Sequence, residues 1–271
     1  MQLDRFSFLE PWTMMLPEGA SAVLMAAGSG GKSTLLRRLH DHYRKSGHTV
    51  AWCALGAHPE PFGVATAGLD ALDLARELLQ SEGSVFVGGG RTAASDVERL
   101  RQILKPDILL VEGGQHADGR FEPNPREASW PEVVHRLFCV APLHAVGRPW
   151  SSRHVVGAPD EAARIDGEAQ RVRSADLLAS LRGLAQGGFP AEALVVPFLS
   201  GFGGYRDVDG MFELVGELCA LPGAKAVCLA ELLGDERRDA ADSKGLPEGS
   251  PALEFLRGER VYAVYPAELD E

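Results

Sequence analysis

The sequence predicts an α/β fold, a mostly parallel sheet with helices on both faces, and three observations carry that prediction. Short apolar runs without polar alternation recur along the chain, as strands buried on both faces do. Segments with apolar residues at helical spacing lie between them. A glycine-rich stretch, residues 26–33 (AAGSGGKS), sits at the first junction from apolar run to amphipathic segment. The 271 residues suit one such domain, with residues 1–20 as an N-terminal edge segment.

Taken in order, Phe6, Phe8, Leu9 and Trp12 make the first 20 residues too apolar for a free tail, so they are expected to pack at the domain edge near the first strand. Residues 22–26 (AVLMA) form that strand, and Leu35, Leu36, Leu39 and Tyr43 mark the helix after it. Ser46 and Gly47 end the helix, and residues 48–55 (HTVAWCAL) read as a second buried strand. Residues 69–82 are helical by spacing, 84–88 (SVFVG) a strand, and 94–104 a helix with Asp96 suited to its first turn. Residues 106–114 (PDILLVEGG) place four apolar residues, a carboxylate and two glycines in succession, the form of a Walker B strand. Further strands are expected at 136–140, 193–198, 224–229 and 260–265, with helices at about 174–186 and 212–221.

The glycine-rich stretch has the context of a P-loop, between a buried strand and a helix, and makes the predicted fold P-loop NTPase-like. Gly28, Gly30 and Gly31 free the backbone to turn successive N–H groups toward one centre, where the helix N-terminus adds partial positive charge. Lys32 would reach the terminal phosphates and the Ser33 hydroxyl a magnesium ion. The expected nucleotide-binding set is Gly28, Ser29, Gly30, Gly31, Lys32, Ser33 and Thr34, with Mg2+ carried by ATP or GTP. Glu112 would join Ser33 as a metal ligand and Lys32 as a catalytic residue if its strand neighbours the first. The alternatives are a ligand-free glycine turn and a solvated acidic strand end.

Candidate substrate residues lie on the later loops. His58 and Glu60 follow the second strand, where they serve either a sensing loop or a solvated His-Pro turn. Residues 88–92 (GGGRT) read as a second glycine-rich loop, from which Arg91 would meet an anion. His116 lies beyond Glu112, and Arg148 and His154 lie further on; the histidines are too widely spaced to signal a metal site, and each is equally a surface side chain. Arg164, Arg171 and Arg173 read as a solvated face.

Composition narrows the partners. Hydrophobic and charged fractions of 45% and 24% suit a folded globular chain. A formal net charge of −11 argues against nucleic acid, while one lysine and a ring of amides suffice for a nucleotide. Cys53, Cys139, Cys219 and Cys228 form no close pair and are expected to be core thiols in a reducing cytoplasm. No targeting segment or membrane span is read.

These features together resemble the selenium-dependent molybdenum hydroxylase accessory family, often labelled YqeC-like. GSGGKS is similar to that family's G-x-G-G-K-[ST] loop, and PDILLVEGGQHADGR to its strand ending in V-E-A-D-G. VFVGGG and the segment FCVAPLHAVGRPWSSRH add to the likeness, which spans about residues 23–229. The resemblance implies a cytoplasmic NTPase serving maturation of a selenium or molybdenum cofactor, with molybdenum hydroxylases or maturation proteins as partners. An ATP-dependent small-molecule kinase or ligase is the second reading of the same loop. A module that binds nucleotide without turnover is the third, since residues 54–57 (ALGA) replace the family's threonines and Gly114 its aspartate.

Overall fold

The computed structural model describes residues 2–6, 21–28, 31–55, 61, 63–113, 131, 133–148, 164–165, 168–169, 171–185, 194–201, 208–220, 227–230 and 261–265. In chain order the strands are β1 (Gln2–Phe6), β2 (Ala22–Gly28), β3 (Val50–Leu55), β4 (Thr66–Gly68), β5 (Ser84–Thr92), β6 (Ile108–Glu112), β7 (Arg136–Pro142), β8 (Arg164–Ile165), β9 (Glu168–Ala169), β10 (Leu194–Ser200), β11 (Val227–Ala230) and β12 (Val261–Tyr265). The helices are α1 (Lys32–Lys45), α2 (Leu72–Glu82), α3 (Ala94–Leu104), α4 (Ser174–Ala185) and α5 (Val208–Cys219). β8 and β9 make a small hairpin of their own.

The remaining ten strands form one sheet in the order β1-β12-β11-β10-β7-β2-β6-β3-β5-β4. From β11 to β4 every pairing is parallel, whereas β12 runs antiparallel to both β11 and β1. The result is an α/β fold with a P-loop NTPase-like arrangement.

Apolar residues on alternate sides of the strands build two layers. Ala22, Leu24 and Ala26 of β2, with Trp52, Leu110, Phe138 and Phe198, pack with Leu35, Leu36, Leu39 and Tyr43 of α1. Val23, Met25 and Ala27, with Cys53, Val111, Cys139 and Leu199, pack with residues of α2, α3, α4 and α5. Strands clad on both sides cannot alternate with polar residues, which is why they read as continuous apolar runs.

The structure departs from the sequence reading at three places. Residues 88–92 are not a loop: β5 continues through them to Thr92, with a register shift opposite β3 between Cys53 and Leu55. Residues 2–6 do lie at an edge, but beside β12 and with four strands between them and β2, contrary to the expected place near the first strand. β4, only three residues long, carries too little pattern to be read from sequence.

A reciprocal clip joins the starts of β3 and β6. Thr49 donates to Asp107 Oδ2 from its backbone N at 2.7 Å and from its hydroxyl at 2.8 Å, and that hydroxyl accepts from the Asp107 N–H at 2.9 Å. The two donors from Thr49 hold the Asp107 carboxyl below its ordinary pKa. A lowered carboxylate pKa stabilises the fold fully above about pH 4 and ceases to do so as pH falls through the folded value. Asp107→Ala is therefore expected to cost roughly 1 kcal/mol at pH 7 and to flatten the loss of stability below pH 4, as read from urea midpoints.

Candidate functional site

The site is built where β2 gives way to α1. The chain leaves β2 toward β3 but leaves its neighbour β7 toward β10, on the other side, and such a divergence opens a crevice at the carboxyl ends of the strands. Gly28 ends β2 at φ +104°, a conformation that side chains rarely adopt. It also lies so close to β7 that a Cβ here would run into the Val140 carbonyl oxygen. Gly31, at φ +97°, turns the backbone into α1, and its carbonyl accepts the first helical bond from Leu35 at 2.8 Å.

Lys32 follows immediately and is 6% exposed. Its ammonium folds back over the junction to donate to the Gly28 carbonyl at 2.8 Å. Burial lowers its pKa, and the nearby Glu112 carboxylate opposes that shift. Ser33 donates its hydroxyl to Glu112 Oε1 at 2.8 Å. Thr34 is half-buried on the same turn.

Glu112 comes from β6, which lies directly beside β2 with Glu112 opposite Ala26. It is 2% exposed, so it is not a solvated strand end. The next residue, Gly113, donates its N–H to the Ala26 carbonyl at 2.7 Å. A Cβ on Gly113 would come within 2.8 Å of Met25 Cε and 3.0 Å of the Ala26 oxygen. Its missing side chain thus makes room for β2.

The structure brings Gly28, Gly31, Lys32, Ser33 and Glu112 together from three segments. Ser29, Gly30, His58, His116 and His154 lie outside the described residues. Arg91 is the penultimate residue of β5, two strands beyond β6 in the sheet. Arg148 is exposed on the turn after β7, where its N–H bonds to the Ala145 carbonyl at 3.0 Å and its carbonyl accepts from Val172 at 2.9 Å. Arg171, read from sequence as part of a solvated face, is exposed but donates to the Gly147 carbonyl at 2.6 Å, tying these two turns. Sequence reasoning missed the Val140 carbonyl, because a main-chain atom leaves no residue signal.

Chemically, the cluster offers an ammonium group, a hydroxyl and a carboxylate at the start of a 14-residue helix. The Ser33 and Glu112 oxygens are hard donors of the kind magnesium takes, and that ion commonly uses only one or two protein oxygens beside phosphate and water. Among the described residues no group of three or more His, Cys, Asp or Glu is arranged for a metal. Among them, too, no helix is long and apolar enough to cross a membrane.

The fold and this junction define the class: an α/β protein of P-loop NTPase-like arrangement. No protein-family model matches the chain, and no curated protein matches its sequence.

Proposed function

We propose that the chain is a P-loop nucleoside triphosphate-binding protein and a slow NTPase, acting in selenium or molybdenum cofactor maturation or metalloenzyme assembly. The observation that carries the nucleotide reading is the 2.8 Å bond between Ser33 and Glu112, beside a lysine folded onto its own loop. The role in maturation rests on the resemblance of GSGGKS and PDILLVEGG to the accessory family.

In this reading Lys32 exchanges the Gly28 carbonyl for a terminal phosphate oxygen, trading a neutral acceptor for a charged one. Ser33 and Glu112 are the residues that would hold Mg2+, which would supply charge neutralisation for the phosphate when bound. The first turn of α1 adds its exposed N–H groups and partial positive charge. Glu112, being buried, has no bulk water to compete with and orients the attacking water through its carboxylate. Among the described residues the site gathers one carboxylate and one lysine, a small set that suits slow turnover.

Magnesium-ATP and magnesium-GTP should each be tested by thermal melting on the wild type and on Lys32→Ala. At nucleotide a hundredfold above its dissociation constant the wild type is expected to gain about 2.7 kcal/mol, and the variant much less. Equal shifts in the two proteins would remove the assignment.

A further inference from the structure

We infer that Arg136 and Tyr43 form a second anion site, for a phosphate or carboxylate group, beneath the carboxyl-terminal half of α1 and separate from the loop at its start. Arg136 opens β7, opposite Leu24 of β2 and Leu194 of β10. Phe138 and Val140, two and four residues on, belong to the layer packed with α1, so strand alternation sets Arg136 on that same face. Arg136 is only 3% exposed within this layer, whose other buried polar groups include His40 of α1 against Trp52.

A guanidinium so placed calls for an acceptor. Its Nε and Nη1 are buried and have no hydrogen-bond partner among the described residues. The Tyr43 hydroxyl is in the same condition, on a side chain 1% exposed. The two groups lie within each other's electrostatic reach. The main-chain carbonyls of His42, Tyr43 and Arg44 at the end of α1 are already engaged, taking the N–H groups of Ser46, His48 and Gly47.

Arginine cannot escape the cost of burial by losing its proton, and an unpaired buried donor is destabilising. An oxyanion resolves both deficits at once. One of its oxygens can take the Nε–H or the Nη1–H of the guanidinium, and the phenol supplies one more O–H.

Tyr43 lies 11 positions beyond Lys32 on one helix, or about 16 Å along its axis, so the two sites cannot share one phosphate. An anion at Arg136 would instead hold the far end of the helix whose first turn carries Lys32 and Ser33.

The test uses the full chain carrying Lys32→Ala, so that binding at the loop does not enter. Inorganic phosphate and, separately, acetate are titrated at constant ionic strength against chloride while the melting temperature is read. At an anion concentration tenfold above its dissociation constant the midpoint should rise by roughly 3 °C. Adding Arg136→Met should abolish the rise, and adding Tyr43→Phe should reduce it. A response to phosphate alone identifies a phosphate site, and a response to acetate a carboxylate site. The inference is overturned if neither anion raises the midpoint, or if the rise survives Arg136→Met. If Arg136→Met does not fold, an undiminished rise in Tyr43→Phe overturns it equally.

Discussion

Gly28→Ala is expected to destabilise the protein by about 3 kcal/mol, measured as a fall in the urea midpoint at unchanged slope. Two causes add. The residue sits at φ +104°, where an alanine is strained, and the new Cβ would press on the Val140 carbonyl, which is fixed within the parallel pairing of β2 and β7. Gly47→Ala separates them. That glycine has φ +85° but nothing within 4 Å of the added carbon, so it should lose only about 1 kcal/mol from strain alone. If both substitutions cost the same, the close approach of the two strands contributes nothing. Under the nucleotide reading, a shift of the Gly28 carbonyl that Lys32 holds should also weaken nucleotide binding in the alanine variant.

Removing the Glu112 carboxylate is expected to cost about 2 kcal/mol as Glu112→Ala and clearly less as Glu112→Gln. Alanine leaves the Ser33 hydroxyl without this acceptor and buried Lys32 without its nearby negative charge, whereas glutamine keeps the acceptor and loses only the charge. The charge has a separate signature in pH. Burial already places the pKa of Lys32 below its ordinary 10.5 in the folded chain, and Glu112 resists that lowering. Between the folded value and 10.5 the unfolded chain binds more protons, so this lysine makes stability rise with pH in that window. Without the Glu112 charge the window should open at a lower pH. Urea midpoints for the wild type and Glu112→Gln between pH 7 and 10 check this, and coincident pH slopes would refute the coupling. Under the nucleotide reading, Glu112→Gln should also lose the magnesium dependence of nucleotide stabilisation.

The strands of the sheet centre were legible because they are clad by helices on both sides, and residues 22–26, 50–55 and 108–112 accordingly contain almost nothing polar. The edges were less so. β12 reads like any other strand, and nothing in its composition tells that it turns against its neighbour. The glycines of β5 illustrate a different failure: a run of three suggests a turn, yet pairing with β3 resumes at Thr92 and holds the run extended.

At the site, Lys32, Ser33 and Glu112 could be named from their order along the chain. Their contact depended on β6 lying directly beside β2, which no local pattern encodes. Arg136 escaped notice for the opposite reason: a single basic residue ahead of an apolar run looks like a solvated strand start, and only the packing of the α1 face makes it a buried charge.

Gly113 has a mechanical consequence. Its N–H is bound to the Ala26 carbonyl, and a Cβ here would meet Met25, so the backbone that presents Glu112 is held close to the strand that presents the loop. Ser33 and Glu112 therefore behave as two jaws of a bracket cut from one piece. A guest that parts them does so most readily by turning their side chains.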